Sequence, residues 1–410
     1  MADIKISEIT DKASNSELST ARLIAAIPDG SGGFDTKYIE GLSSSSSSTE
    51  GGEAFCSSGG SFCFAGNHRA VVFNAEDNTY YKTDLYNPFT SNDNGYKNNN
   101  TFVGMLNNNG TEFRNGVAMN IAGYDGSFIV AGNHRAAVFS KATKTWYATD
   151  YSNAFTSTNN SYKNNNTFTA MIDADGSSWS TGSNVAQRVD ASNGNFIVTG
   201  NHRAVVFMLS ENADKNNTNA IWHATDMTNP FTGGTNSYKN DNTFVAILND
   251  DGNAFRGNDL PMSINAKNGN FIVGGNIGAA VFNKDTKQWY KTDTANPFTS
   301  SSNSYKNNNT FVAMLNNDGT KFRISSDNSG QTIATLNVSS SGNNFAAIGN
   351  HRAGVFTLSD NTWRVTDMTN PFTGGSNSYK NDNTFMAMLD EDGNSWSTGS
   401  TVAQNISDCS

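Results

Sequence analysis

The chain has 410 residues, of which 36% are hydrophobic and 11% aromatic, and its formal net charge is −10. This length and apolar content predict a folded protein with a sizeable core and exclude a disordered one. Because the lysines and arginines are scattered singly through an acidic chain, the composition excludes a basic surface for nucleic acid. No segment approaches the roughly twenty apolar residues of a membrane helix, and residues 1–6 lack a signal-peptide pattern, so we expect cytoplasmic synthesis and no membrane insertion.

The first 52 residues differ from the rest of the chain. Residues 1–42 are polar with spaced aliphatic side chains, and residues 43–52 have the serine and glycine content that is typical of a flexible linker. The N-terminal part contains the stretches MADIKISEI, LIAAIPDG and FDTKYI, which begin at Met1, Leu23 and Phe34. It resembles the N-terminal segment of bacteriophage fibre and other virion appendage proteins, over about a tenth of the chain.

This resemblance implies a role for the N-terminal segment and a location for the protein. In that family the segment docks the protein on the particle, while the C-terminal part faces outward. By this resemblance we expect residues 1–42 to attach to other virion proteins and the protein to belong to the virion, assembled in the host cytoplasm. No individual docking residue follows from it.

Residues 53–410 consist of five repeated units. A Gly-Asn-His-Arg-Ala motif followed by an apolar run occurs four times, and a fifth copy has Ile277-Gly278 in place of His-Arg. Each unit continues with a Thr-Asp pair and a Tyr-Lys-Asn-x-Asn-Thr-Phe stretch. The repetition decides the fold before any local pattern does. The motif glycines, spaced by 66, 68, 75 and 74 residues, are Gly66, Gly132, Gly200, Gly275 and Gly349.

Short apolar runs between turn residues predict strands in every unit and no helix. In the fourth unit the predicted strands cover residues 271–273, 279–282, 288–292 and 310–315. These runs are continuous rather than alternating, which indicates sheets that are covered on both faces. After the last run, Asn-Gly or Asp-Gly predicts a tight hairpin with glycine at positive φ. These glycines are Gly110, Gly176, Gly252, Gly319 and Gly393.

Units of about 70 residues with four or more strands predict an all-β, five-bladed β-propeller over residues 53–410. Ten small blades are an alternative, because each unit holds two strand-turn-strand patterns that resemble regulator-of-chromosome-condensation repeats. The third possible architecture is another type of β-repeat array. A repeated aromatic position is predicted to pack between blades. It holds Tyr80, Trp146, Trp222, Trp289 and Trp363.

A propeller must join its two ends. Residues 402–406 copy residues 185–189, so we expect them to complete the first sheet, where residues 53–56 are a poor copy of a strand. That pairing would bring Cys409 near Cys56. Three reduced thiols, including Cys63, are the other interpretation.

The repeated polar residues form two candidate sets. The long Asn-rich turns offer many neutral hydrogen-bonding groups, which suits a sugar, so their tyrosines and lysines are the candidate ligand-binding residues. They are Tyr96, Lys97, Tyr162, Lys163, Tyr238, Lys239, Tyr305, Lys306, Tyr379 and Lys380. The second set consists of His68, Arg69, His134, Arg135, His202, Arg203, His351, Arg352, Asp84, Asp150, Asp226, Asp293 and Asp367. This set has two interpretations: a structural hydrogen-bond network that locks each blade, or a series of glycan pockets. We favour the structural network.

No catalytic, metal or cofactor site is predicted. Five copies of one carboxylate do not supply an acid and a base of different pKa, and the sequence has no GxSxG, HExxH or phosphate-loop motif. Residues 173–176 and 390–393 look like the start of a calcium loop, but residues 107–110 at the same position are uncharged. We therefore expect a protein that is not an enzyme.

Two functions fit these expectations. The first is a fibre- or adhesin-like virion protein whose propeller contacts host-surface polysaccharide through repeated weak sites during adsorption. Five-bladed lectins of the tachylectin type are an analogy for it at the level of fold. The second is a capsid or tail decoration protein that binds only other virion proteins.

Overall fold

We analysed a computed structural model of the chain. It describes residues 54–83, 101–149, 167–180, 186–209, 222–225, 243–256, 260–292, 310–323, 335–366, 384–397 and 406, and the backbone of two N-terminal strands. These strands, β1 (Leu23–Pro28) and β2 (Phe34–Ile39), form an antiparallel pair. Met1–Glu50 and Gly51–Ser410 are separate compact units.

The second unit contains five four-stranded antiparallel sheets, each formed by strands that are consecutive in the chain. Sheet A consists of β3 (Ala54–Ser58), β4 (Ser61–Ala65), β5 (Ala70–Asn74) and β6 (Thr79–Lys82). Sheet B consists of β7 (Asn120–Tyr124), β8 (Ser127–Ala131), β9 (Ala136–Ser140) and β10 (Thr145–Ala148). Sheet C consists of β11 (Arg188–Ser192), β12 (Asn195–Thr199), β13 (Ala204–Met208) and β14 (Trp222–Ala224). Sheet D consists of β15 (Ser263–Lys267), β16 (Asn270–Gly274), β17 (Ala279–Asn283) and β18 (Gln288–Lys291). Sheet E consists of β19 (Asn337–Ser341), β20 (Asn344–Ile348), β21 (Ala353–Thr357) and β22 (Thr362–Val365).

Five repeats with one sheet each confirm the predicted all-β, propeller-like array. The second strand-turn-strand pattern of each unit is only a hairpin closed by one bridge, such as Leu106 with Phe113, so the ten-blade alternative is wrong. The predicted hairpin glycines have φ between 68° and 73°, as with Gly110 at 70° and Gly319 at 73°. Glycine reaches this left-handed region without steric cost, which explains its place in these turns.

The segment at residues 310–315 is not the strand that its apolar run predicts. Only Leu315 takes part in a bridge, with Phe322. The segment crosses the end of sheet D, and its side chains alternate between two cores: Phe311 and Ala313 belong to one cluster, and Val312 and Met314 to another. Its backbone groups bind a turn and a side chain instead of a parallel or antiparallel partner strand, as described below. We call this stretch the crossing segment; the others are 102–106, 168–172, 244–248 and 385–389.

Neighbouring sheets pack through two different faces. The aromatic face of a sheet carries phenylalanines on its second and third strands and tryptophan on its fourth, as with Phe196, Phe207 and Trp222 in sheet C. It packs on the aliphatic face of the preceding sheet, as with Ile129 and Val138 in sheet B. The same arrangement joins A to B, C to D and D to E. The tryptophans thus pack between sheets as predicted.

The inner and outer sheets differ in burial. The central two strands of sheets B, C and D are buried at every position, which confirms sheets covered on both faces. In sheets A and E, burial of these strands alternates. Among the described residues, none of the hydrophobic clusters contains residues of both sheet A and sheet E.

Within the described residues, the first sheet obtains its four strands from its own unit. Residues 54–58 pair with β4 along their whole length, so sheet A has four strands of its own. Of residues 402–406, only Ile406 lies within the described part of the chain. Cys56 and Cys63 are register partners in this sheet, and both are free thiols. Cys409 lies outside the described residues.

A fifth core runs past the ends of the sheets. It is built from the crossing segments and the single-bridge hairpins of all five units, including Phe102, Trp179 and Phe322. Backbone bonds connect consecutive hairpins: Trp179 N–H donates to Asn108 O at 3.3 Å, and Phe322 N–H to Asp250 O at 3.1 Å. Each unit therefore contributes both a sheet and a hairpin to contacts with the next unit.

Candidate functional site

The Gly-Asn-His-Arg motif forms the turn between the second and third strands of each sheet. In sheet B the Gly132 N–H donates to Arg135 O at 3.0 Å, which closes the turn, and Gly200 and Arg203 do the same at 2.9 Å. The copy without His-Arg closes identically, with Gly275 N–H donating to Gly278 O at 3.0 Å. The turn shape therefore does not depend on His-Arg. We call each turn, with the crossing segment of the preceding unit, a junction.

The asparagine of the motif joins two units through its side chain and backbone. The Asn350 carboxamide accepts from Leu315 N–H at 2.9 Å and donates to Leu315 O at 2.6 Å, as a partner strand would. Its backbone carbonyl accepts from Met388 N–H, in its own unit, at 2.7 Å. Buried peptide groups need such partners, and here one side chain supplies both bonds. Asn133, Asn201 and Asn276 make the same pair of bonds to Leu106, Ile172 and Leu248.

The glycine of the motif permits close contact between two backbones. A Cβ atom at Gly200 would lie 1.9 Å from Ala170 O in the preceding unit, far inside contact distance. The corresponding distance is 1.9 Å at Gly132, 2.1 Å at Gly275 and 2.0 Å at Gly349. Only glycine therefore fits these four turns.

The histidines at three junctions are fully buried, and two of them bind a backbone carbonyl of the preceding unit. His202 Nδ1 lies 3.1 Å from Ala170 O, and His134 Nδ1 lies 2.9 Å from Gly104 O. Because a carbonyl can only accept, Nδ1 carries the proton. Each ring also contacts an aromatic edge; His202 and Phe255, for example, have centroids 5.7 Å apart. The histidines therefore connect units, whereas the sequence suggested a lock within each blade.

Burial keeps these imidazoles neutral. Loss of hydration, followed by repulsion from the adjacent arginine, lowers the pKa of His134, His202 and His351 from 6.5 to about 3. The arginines Arg135, Arg203 and Arg352 are buried as well. A ligand in solution cannot reach these three His-Arg pairs, which is what a structural role requires.

Two copies of the motif differ from these three. Ile277 replaces histidine in the fourth unit. It is buried in the core that the crossing segments and hairpins form, where its hydrocarbon side chain takes the place of the imidazole. In the first unit His68 is exposed, and its Nδ1 lies 3.2 Å from Asn67 Oδ1 of the same turn. A Cβ at Gly66 would meet nothing within 4 Å. In the part of the chain that the structure describes, the first turn therefore has no crossing segment of another unit against it.

The threonine of each Thr-Asp pair fixes the start of the Asn-rich segment. Thr83 N–H donates to Ala70 O at 3.0 Å, and Ala70 N–H donates to Thr83 Oγ1 at 3.1 Å. The other four units repeat this double contact with Thr149, Thr225, Thr292 and Thr366. Each Asn-rich segment then ends at the phenylalanine of a crossing segment, which is buried in the first four units, as with Phe102 and Phe311, and partly buried at Phe385 in the fifth. All five segments thus start and end at corresponding places.

The remaining candidates lie outside the described residues. These are Tyr96, Lys97, Tyr162, Lys163, Tyr238, Lys239, Tyr305, Lys306, Tyr379, Lys380, Asp84, Asp150, Asp226, Asp293 and Asp367. Their roles stay predictions. Within the described ranges there is no group of three metal-ligating side chains, and no helix there is long and apolar enough to span a bilayer. Burial raises the pKa of both Cys56 and Cys63, so neither is an activated thiol.

Comparisons with known proteins give only distant similarities. No protein-family model matches the sequence, and no curated protein matches it. U3-55K is similar at a TM-score of 0.24 and 6% identity over 73% of this chain, and the extracellular domain of a hybrid two-component system of B. thetaiotaomicron at 0.23 and 11% over 78%. Dihydro-heme d1 dehydrogenase NirN is similar at 0.17 and 9% over 75%. The chain spans 58%, 28% and 64% of these three structures, respectively.

Substitution of a junction glycine should destabilise the protein. In Gly200→Ala the new methyl group overlaps Ala170 O, so we expect the free energy of unfolding to fall by at least about 2 kcal/mol in urea titrations. Gly66→Ala is the matched control, because its methyl group enters open space, and in dilute solution it should change stability by less than about 0.5 kcal/mol. Equal effects of the two substitutions would contradict this role of the junction glycine.

The three buried histidines should make the fold acid-sensitive. Since their pKa is near 6.5 in the unfolded chain and about 3 in the folded protein, their contribution is constant above pH 6.5 and is lost as the pH falls towards 3. Each histidine should lower the free energy of unfolding by roughly 2 kcal/mol between pH 6.5 and about pH 4.5. His202→Gln, which cannot titrate, should reduce the pH dependence of the unfolding free energy by the share of one histidine, roughly 2 kcal/mol between pH 6.5 and about pH 4.5. An unchanged pH slope in this variant would contradict the buried, neutral state.

Proposed function

We propose that this chain is a non-enzymatic bacteriophage virion appendage protein whose repeat domain displays five Asn-rich segments that bind host-surface glycans. One observation carries the proposal: each of the five segments begins at the threonine contact of its own unit and ends at the crossing segment of its own unit. A scaffold that fixes both ends of five similar segments presents five similar surfaces. Loops held in this way on a rigid framework are common locations for binding residues.

The composition of these segments suits a neutral sugar. Each contains a Tyr-Lys pair followed by asparagines and preceded by serine, threonine, glycine or asparagine. Amide and hydroxyl groups exchange hydrogen bonds with sugar hydroxyls, and a tyrosine ring offers an apolar surface for a sugar face. Five weak sites on one scaffold would bind a repeating polysaccharide with an avidity that no single site has.

Burial of the His-Arg pairs strengthens the assignment to the Asn-rich segments. The two candidate sets compete for the role of sugar contact, and three of the four His-Arg pairs are enclosed between units. Ile277 also replaces the histidine in one unit without loss of the asparagine bonds. The tyrosines and lysines of the Asn-rich segments are therefore our candidates for ligand contact.

The virion location rests on the N-terminal resemblance. Residues 1–42 would attach the protein to other virion proteins, and the repeats would face outward. A decoration protein that binds only virion proteins is the alternative, and its repeat segments would have no affinity for host glycans.

Binding by the full chain tests the proposal. The protein at micromolar concentration should bind host cells and compete with particle adsorption. Tyr→Ala at Tyr162, Tyr238 and Tyr305 together should lower cell binding by more than the three-fifths that independent sites would lose, because avidity falls with each site removed.

The control for this experiment is Tyr124→Ala. Tyr124 is also an exposed tyrosine, but it lies on a strand of sheet B and not in an Asn-rich segment. It should leave cell binding unchanged. No binding by the full chain, or equal binding by the triple variant, would reject glycan binding and favour the decoration role.

A further inference from the structure

Sheet A has an aromatic face that no other sheet of the chain covers within the described residues. By strand register this face carries Phe62, Phe73 and Tyr80, at the positions of Phe128, Phe139 and Trp146 in sheet B. Tyr80 is 66% exposed, whereas Trp146, Trp222, Trp289 and Trp363 are 7 or 8% exposed at the same position. Phe55, which lies on β3 beside β4, is 40% exposed. A contiguous patch of exposed aromatic side chains is typical of an interaction surface.

Sheet E has the opposite surface at the other end of the array. Val355 lies at the position of Val138, Val206 and Val281 on the aliphatic face and is 41% exposed, whereas those three valines are fully buried. Within the described residues, no turn of another unit lies against the crossing segment of the fifth unit. Its Met386 is 42% exposed, whereas Val103, Val245 and Val312 at this position are fully buried.

The junction groups at the two ends are the two halves of one missing junction. The first turn offers Gly66, with open space at its Cα, and an exposed His68. The fifth crossing segment offers the backbone around Ala387, which corresponds to Ala170 and Ala246 in the contacts to Gly200 and Gly275. At every internal junction these two halves lie against each other.

Side-chain chemistry also matches across the two ends. At internal interfaces a planar ring from the fourth strand packs on the third-strand phenylalanine of the next sheet; centroids are 5.5 Å apart for Tyr147 and Phe207, and 5.4 Å apart for Tyr290 and Phe356. Sheet E has Arg364 at that fourth-strand position, and sheet A has Phe73 at the phenylalanine position. A guanidinium group is planar and stacks on aromatic rings, so it can replace the tyrosine.

We propose that sheet A and the first Gly-Asn-His-Arg turn bind sheet E and the fifth crossing segment of a second copy of this chain, head to tail. The contact repeats the interfaces that already join A to B, B to C, C to D and D to E. It is heterologous, because different surfaces of the two copies meet, and it can therefore continue into a row of copies.

A second copy fits this surface better than sheet E of the same chain does. Within one chain, sheets A and E stand at opposite ends of the series of packed faces, and the intervening cores at sheets B, C and D are fully buried. To bring sheet E onto sheet A, these close-packed interfaces would have to rearrange, which interiors resist. A second copy binds without any such change. This proposal is independent of glycan binding.

The mass of the full chain in solution tests the proposal. Analytical ultracentrifugation or light scattering from about 1 to about 100 µM should show a mass that rises above the 44.0 kDa of one chain as concentration increases. Gly66→Ala should keep the unfolding midpoint of dilute protein and reduce association by at least about tenfold, because its methyl group meets the incoming carbonyl of Ala387.

A mixture of end-blocked variants identifies the polarity of the contact. Val355→Glu places a charge on the aliphatic face of sheet E and should also give single chains. Mixed in equal amounts, Gly66→Ala and Val355→Glu should form dimers and no larger species, because each retains the surface that the other lacks. Tyr124→Ala, outside both ends, should associate like the unmodified chain.

Two results would overturn the proposal. If the unmodified chain keeps the mass of one chain throughout and Gly66→Ala lowers its unfolding midpoint, sheet E of the same chain covers sheet A as a closed ring. If Gly66→Ala changes neither mass nor stability, the aromatic face of sheet A is not an interface between copies.

Discussion

The array depends on an asparagine side chain that acts as a piece of β-strand. At four junctions the carboxamide of this residue bonds to both backbone groups of an apolar residue in the preceding unit, as Asn276 does with Leu248. The crossing segment can then run through a buried region without a partner strand, because its polar groups are satisfied. The adjacent glycine allows the two backbones to come close enough for this contact. Together with the backbone bonds between consecutive hairpins, this pair fixes the distance between adjacent sheets.

Histidine and arginine have a secondary role at the same place. Both are buried at three junctions, where neutral imidazoles fill space among aromatic rings, and His134 and His202 also donate to backbone carbonyls. Ile277 fills that space in the fourth unit, while Asn276 keeps its bonds. The junction therefore tolerates a change from a polar to an apolar filler, provided that the turn and its asparagine remain. This explains why the motif varies at two positions and is constant at Gly-Asn.

Much of this fold could be predicted from the sequence, because each position of a unit can be compared with the equivalent position in the other four units. The five units, their strands and the hairpin glycines follow from apolar runs and turn residues. The crossing segments could not be predicted, since an apolar run of five or six residues has the same composition whether a strand or a side chain satisfies its backbone. The junction could not be predicted either, because the histidine of the motif is a more conspicuous residue than the asparagine that joins the units. The signal that could have identified the junction was present at residues 275–278, where Gly-Asn persists without His-Arg.

The one-directional packing of aromatic on aliphatic faces has a consequence for the length of such proteins. Every unit presents the same two surfaces to its neighbours, so stability is a sum over units and nearest-neighbour interfaces. After removal or duplication of an internal unit, the new neighbours would still meet through an aliphatic face and an aromatic face, which are the surfaces that pack together at every existing interface. Gene-level gain or loss of repeats is therefore compatible with the fold, and the number of displayed segments can change while the two terminal surfaces stay the same.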